Sequence, residues 1–174
     1  LAFFDQVPTI VVHDALAQTL GALQDGIIEF RYLDAVKLAG HSCPTVAGAW
    51  LMTRAALARL YPGQTPRRGE LRVELLEAQD AGVAGVIASV AALVTGAAGS
   101  GGFKGLAGRH ARRDLLDFGV PMRGEMRFTR LDNGRSVEVS HHPEVAPRPS
   151  ELRTQRQAAL ATEADSAKRA AFAQ

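Results

Sequence analysis

The residues best suited to chemistry lie together in the segment LAGHSCPT, at positions 38–45. Cys43 is the single cysteine of the chain, His41 lies two positions before it, and Pro44 follows it directly. A thiolate and an imidazole are common ligands of Zn²⁺, Fe and Cu, and they also form nucleophile–base pairs. The spacing therefore leaves three interpretations open: a metal site, a metal-free nucleophile with His41 as base, and an inert thiol in an interaction module.

The segment after Cys43 predicts a helix that begins at Pro44 and ends at Tyr61-Pro62-Gly63. Proline suits the first turn of a helix, because the N–H that it lacks has no partner there. One apolar stripe follows at helical spacing: Val46, Trp50, Thr53, Leu57 and Leu60. Cys43 would then lie at the helix N-terminus, where unpaired N–H groups favour the thiolate.

The remaining pattern predicts an α+β fold in which helices pack on a small mixed β-sheet. Asp14 is a candidate N-cap for a helix with Leu16, Leu20 and Leu23 on one face, and IIEF at 27–30 begins an extended or helical turn. Further along, LRVEL predicts a strand at 71–75, and LLDF predicts another at 115–118. Two alternating runs flank Asp132-Asn133-Gly134, which is a typical hairpin turn.

An apolar helix is predicted between the two single strands, over GVAGVIASVAALV. Small residues recur along it, and they would let another backbone approach closely: Gly85, Ala88, Ser89 and Ala92. The Gly-rich segment 96–108 follows, but it matches neither the P-loop nor the dinucleotide-binding pattern. Its neighbourhood carries residues that could line a site for an anionic cofactor: Phe103, Lys104, Arg109 and Arg113.

Composition excludes several classes of protein. The 20 Lys and Arg residues are nearly balanced by 18 Asp and Glu, so we expect no nucleic-acid binding. The uncharged stretch Ala81–Phe103 is convincingly apolar only in its first half, so we expect no membrane span. One cysteine allows no intramolecular disulfide, and the opening residues lack the features of an intact signal peptide; we expect a cytoplasmic protein.

Three segments resemble the subunit-E-like family of molybdenum or tungsten formylmethanofuran dehydrogenases: AGHSCPTVAG (39–48), the stretch 83–105, and MRFTRLDNGRSVEV (126–139). That family has an HxHxCPG-type motif at a helix start, then an apolar helix that ends in a TG-containing, Gly-rich loop, then a β-hairpin region. The resemblance covers residues 10–142. It implies an α+β metal-binding domain over residues 1–142 that often forms a homodimer. A Pro-rich linker and helical tail over 143–174 would follow it.

The resemblance carries over only two potential metal ligands, His41 and Cys43. The first motif histidine of the family falls on Ala39, and other positions where the family often has Cys or Asp hold Val86, Ser89 and Ala97. We therefore expect a divalent metal, Zn²⁺ first, whose further ligands come from elsewhere in the chain, a partner subunit, water or a cofactor. If the protein is a catalyst, an open metal position would activate water or a bound small-molecule ligand. Because Cys-Pro is also the pattern of thiolate haem ligation, haem is the alternative cofactor.

Overall fold

The computed structural model describes residues 2–145, 151–161 and 166–172, and it confirms the α+β class. Two compact units divide the chain, Leu1–His141 and His142–Gln174. The first unit contains both β-sheets and the residues predicted to carry the chemistry. None of the described helices combines the length and the apolarity needed to cross a bilayer.

The N-terminal part of the first unit is mainly helical. A 3₁₀ turn at Ala2–Gln6 precedes these elements: β1 (Ile10–His13), α1 (Ala15–Thr19), β2 (Ile27–Phe30), α2 (Tyr32–Ala39) and α3 (Pro44–Leu60). Strands β1 and β2 pair antiparallel, with Ile10 opposite Phe30 and His13 opposite Ile27. The helix predicted from Pro44 is confirmed, and all five residues of its predicted apolar stripe are buried.

The second half of this unit forms the main sheet. Its elements are β3 (Leu71–Leu75), α4 (Ala84–Thr95), β4 (Leu116–Asp117), β5 (Met126–Arg130) and β6 (Ser136–Val139). The strand order is β4-β3-β5-β6, in which β3 and β4 run parallel and the other neighbours run antiparallel. The sheet is therefore mixed, and the predicted hairpin is confirmed as β5 and β6.

The core lies between α3 and its neighbours α4, β5 and β6. Trp50 on α3 and Phe128 on β5 are fully buried within it. Gly48 lets the imidazole ring of His141 pack directly against α3, because a Cβ at this position would overlap the ring. α2 packs on α3 and α4, and this packing determines where the link between α2 and α3 lies.

One predicted helix is wrong in its extent. α1 ends at Thr19, whereas the apolar spacing had predicted a helix long enough to place Leu16, Leu20 and Leu23 on one face. The helix buries none of its residues. Gly21 adopts a left-handed backbone (φ 70) directly after the helix, which favours termination there. The Asp14 cap is confirmed, since its carboxylate accepts hydrogen bonds from the amides of Leu16 and Ala17.

The second unit contains a 3₁₀ turn at Pro143–Val145 and the helices α5 (Glu151–Leu160) and α6 (Ser166–Phe172), which pack against each other. Helix was predicted throughout this tail. Ser150 precedes the helical pattern of the tail and is its predicted N-cap. It lies with the rest of the Pro-rich linker, 146–150, outside the described residues.

Candidate functional site

The link between α2 and α3 carries the predicted thiol and imidazole. Gly40 ends α2 in a left-handed conformation (φ 75) that glycine adopts without strain. Cys43 is extended (φ −150, ψ 169) and is the N-cap residue of α3, with Pro44 as the first helical residue. The predicted location of the thiol at a helix N-terminus is therefore confirmed.

Cys43 is half-buried and packs against the hydrophobic core. Its sulfur makes no capping hydrogen bond of ordinary geometry. Burial opposes ionisation of the thiol, but the amides of Val46 and Thr45 and the neighbouring His41 outweigh it, so the pKa of Cys43 lies below its ordinary value. A lowered pKa increases the fraction of thiolate, which is the form that attacks electrophiles and ligates metals.

His41 is exposed, and its Nδ1 lies 2.9 Å from the carbonyl oxygen of Ala39. A carbonyl oxygen can only accept, so Nδ1 carries the proton of this bond. The hydrogen bond to Ala39, followed by the hydrogen bond and the negative charge of the neighbouring Cys43 thiolate, raises the pKa of His41. In the neutral ring Nε2 is then the nitrogen with a free lone pair, which is the arrangement typical of metal-ligating histidines.

Ser42, between the two predicted ligands, is anchored to the core. Its hydroxyl lies 2.8 Å from the hydroxyl of Tyr32, the first residue of α2. The Tyr32 side chain is buried and its ring packs edge-on against Phe4 and Trp50. The sequence did not single out this contact, because it depends on how α2 packs against α3 rather than on a local motif.

The imidazole and the thiol at this site are suitable metal ligands, but one chain supplies too few of them to complete the coordination of a metal ion. A structural zinc site has four protein ligands, and a catalytic site has three. Across residues 2–145, 151–161 and 166–172, no three His, Cys, Asp or Glu side chains are placed to hold a metal ion together. His41 and Cys43 would supply two ligands, so a metal ion bound here would need further ligands from elsewhere.

Of the predicted anion-binding residues, Phe103 and Lys104 lie in the Gly-rich loop at 96–108, and Arg109 and Arg113 lie just beyond it. Phe103, Lys104 and Arg113 are exposed, and the carbonyl of Phe103 accepts the N–H of Arg113 at 3.3 Å. The Arg113 side chain pairs with Asp114 at 3.4 Å. No hydrogen bond or ion pair in the described part of the chain joins these residues to His41 or Cys43, so their role in cofactor binding stays a prediction.

The buried cation beside this segment is Arg112, which the sequence did not single out. Its backbone N–H donates to the carbonyl of Phe103 at 2.8 Å, and its carbonyl accepts the N–H of Ala98 at 2.9 Å, so Arg112 is tied to the Gly-rich loop. Its Nη2 donates to Asp14 Oδ1 at 2.6 Å, and Arg68 Nη1 donates to the other oxygen of the same carboxylate at 2.7 Å. Arg112 is 7% exposed and Asp14 is 3% exposed. This cluster of Asp14, Arg68 and Arg112 joins the Gly-rich loop to the start of α1, across separations that no local motif could reveal.

A groove of about 550 Å³ runs along α4. The small residues predicted to allow close approach all line it: Gly85, Ala88, Ser89 and Ala92. The Gly-rich loop and the edge strand β4 form its other side, through Gly99, Ser100, Asp114 and Leu116–Phe118. The groove is thus a shallow, mixed polar and apolar surface within the first unit.

The chain matches no protein-family model, no curated protein and no solved structure. What the chain does must therefore be inferred from its own residues and their geometry.

Proposed function

We propose that this chain is a metal-binding protein in which the Cys43 thiolate and Nε2 of His41 ligate a divalent metal, with Zn²⁺ as the first candidate. The hydrogen bond between His41 Nδ1 and the Ala39 carbonyl carries the proposal, since it leaves Nε2 as the available nitrogen beside a thiol of lowered pKa. The resemblance of the GHSCP segment to a metal-binding family supports the same residues.

The proposal includes a homodimer, because two copies of the pair would complete the coordination. Two thiolates and two imidazoles are a Cys₂His₂ set, which suits the tetrahedral geometry of zinc. The exposure of His41 is compatible with a site at a surface shared by two chains. Zinc in such a closed site would supply structural cross-linking, whereas a site with two protein ligands would leave positions for water or a small-molecule ligand.

The test is metal analysis of protein purified without a histidine tag, combined with sedimentation analysis before and after chelation. We expect one zinc per two chains, and dissociation of the dimer when zinc is removed. Cys43→Ser and His41→Ala should each abolish stoichiometric zinc. His142→Ala is the matched control, since it removes another exposed imidazole and should leave bound zinc unchanged. Full zinc content in Cys43→Ser would refute the assignment.

Haem is a second candidate, favoured by the small number of protein ligands that it needs. A single axial thiolate is enough to hold haem iron, and Cys43 is followed by Pro44, which would direct the chain away from the metal. The absorption spectrum of the same preparation separates the two cases. A Soret band lost in Cys43→Ser would support haem, and colourless protein with stoichiometric zinc would exclude it.

A metal-free Cys43 nucleophile is the third candidate. The lowered pKa of Cys43 and the raised pKa of His41 favour it, because they describe a thiolate beside an imidazolium. Protein without metal whose Cys43 reacts rapidly with iodoacetamide near neutral pH would support this function over both metal proposals. All three functions require a reduced thiol, so we propose a reducing compartment such as the cytoplasm.

A further inference from the structure

The hydroxyl groups of Tyr32 and Ser42 form the contact that ties the candidate ligands to the rest of the fold. They lie 2.8 Å apart although the residues are ten positions apart in sequence. Ser42 belongs to the short link between α2 and α3, and its immediate neighbours in sequence are the two candidate ligands. Whatever holds Ser42 in place therefore limits how far His41 and Cys43 can move relative to each other.

Tyr32 is a rigid anchor for this contact. Its side chain is 3% exposed, and its ring centroid lies 5.3 Å from that of Phe4 and 6.0 Å from that of Trp50, both in edge-on geometry. Such packing holds the ring by contacts on two sides. Because Trp50 belongs to α3, the anchor connects the link to the helix at whose N-terminus Cys43 lies.

In the link between α2 and α3, His41 and Cys43 are each held by a hydrogen bond of their own. The His41 ring is bonded to the Ala39 carbonyl, and Cys43 caps α3 through its backbone, whose carbonyl accepts the N–H of Ala47 at 2.9 Å. Ser42 is the middle residue, and its hydroxyl supplies the connection to the core. Without it, the segment between Gly40 and Pro44 would be held only near its two ends.

We infer that Tyr32 and Ser42 are positioning residues of the candidate metal site, which hold His41 and Cys43 in one arrangement through the contact between their hydroxyl groups. The inference rests on the proposed function. Partners that orient metal ligands typically change metal affinity by about 10–100-fold when they are removed. Tyr32→Phe removes the hydroxyl and keeps the ring packed against Phe4 and Trp50.

The experiment measures Co²⁺ and Zn²⁺ affinity, and the absorption spectrum of the Co²⁺ form, in the full chain. We expect Tyr32→Phe and Ser42→Ala each to weaken Zn²⁺ binding about tenfold and to shift the thiolate-to-cobalt bands. The double variant should be no weaker than either single variant, because both remove the same contact. Ser42→Thr keeps a hydroxyl and should therefore bind Zn²⁺ as tightly as the wild type.

Tyr61→Phe is the matched control. It also removes a tyrosine hydroxyl from a buried side chain, but at the opposite end of α3. We expect its metal affinity and Co²⁺ spectrum to equal those of the wild type, with a thermal stability similar to that of Tyr32→Phe. Equal metal affinity in Tyr32→Phe and the wild type would overturn the inference.

The metal-binding proposal and the positioning role of Tyr32 and Ser42 are tested by separate measurements. If wild-type protein binds no metal, the metal proposal fails, and positioning is then measured by the rate of Cys43 alkylation in metal-free protein at one neutral pH. Tyr32→Phe should react more slowly than both the wild type and Tyr61→Phe, since Cys43 would leave the N–H groups that stabilise its thiolate. An unchanged rate would refute positioning in that case.

Discussion

Replacing Asp14 with asparagine tests how the Gly-rich loop is held to the rest of the first unit. The Asp14 carboxylate accepts from Arg112 at 2.6 Å and from Arg68 at 2.7 Å, and it also caps α1. Asparagine is as good an N-cap as aspartate and has almost the same shape. The substitution therefore removes the negative charge between two guanidinium groups and introduces an N–H₂ group where both neighbours are donors.

The expected loss follows from the burial of these groups. Removing one partner of a buried ion pair costs about 3–5 kcal/mol, because the other charge stays buried without compensation. Arg112 already has two nitrogens, Nε and Nη1, without a hydrogen-bond partner among the described residues. The Arg68 side chain is 24% exposed and can be partly solvated, which favours the low end of the range. We expect the free energy of unfolding to fall by about 3 kcal/mol.

Urea unfolding of the full chain, followed by the fluorescence of Trp50, measures this change at neutral pH. Asp114→Asn is the matched control, because Asp114 also pairs with an arginine but its side chain is 63% exposed. An exposed pair contributes at most about 1 kcal/mol, so this variant should stay close to the wild type. If both variants lost the same small amount of stability, the buried cluster would not hold the loop as we describe.

Three further outcomes are expected. Burial opposes ionisation of Asp14, but the hydrogen bond from Arg68, the Ala17 amide and the charges of both arginines lower its pKa below 3.8. Its stabilisation is therefore complete above that pH and is lost as the pH falls through the folded-state pKa, so the difference in unfolding free energy between wild type and Asp14→Asn should narrow in acid. Gly69→Ala should lower the free energy of unfolding more than Gly63→Ala. Both glycines have positive φ, so either substitution costs about 1–2 kcal/mol in backbone strain, but only at Gly69 would the added Cβ overlap Arg112. Equal losses of stability in chemical denaturation would contradict this. His41→Ala should raise the pKa of Cys43, so the pH–rate profile of its alkylation should move to higher pH, and an unshifted profile would show that His41 does not stabilise the thiolate.

The elements that could be predicted from sequence are those whose pattern is local. The stripe on α3, the alternation in β3 and the turn between β5 and β6 each express the periodicity of one element, and all three are confirmed. α1 was predicted too long because apolar spacing continued past Thr19, while the backbone there turns at Gly21. The pairing of β1 with β2 was not predicted, since strands of four residues carry too little periodicity to identify.

The candidate site likewise has a part that could be predicted from local sequence and a part that could not. Cys43, Pro44 and His41 are close in sequence, so their types and spacing already predicted a thiol at a helix N-terminus, and local backbone geometry produces it. The contact between Tyr32 and Ser42 depends on the packing of α2 against α3. Arg68 and Arg112 were visible in the sequence as parts of Arg-Arg pairs, but their partner is Asp14, which is 54 and 98 positions away. Sequence alone determined which residues could do chemistry, because residue type and helix capping are local properties. Tertiary structure decided which charges and hydroxyl groups meet, because those contacts form only when distant elements pack.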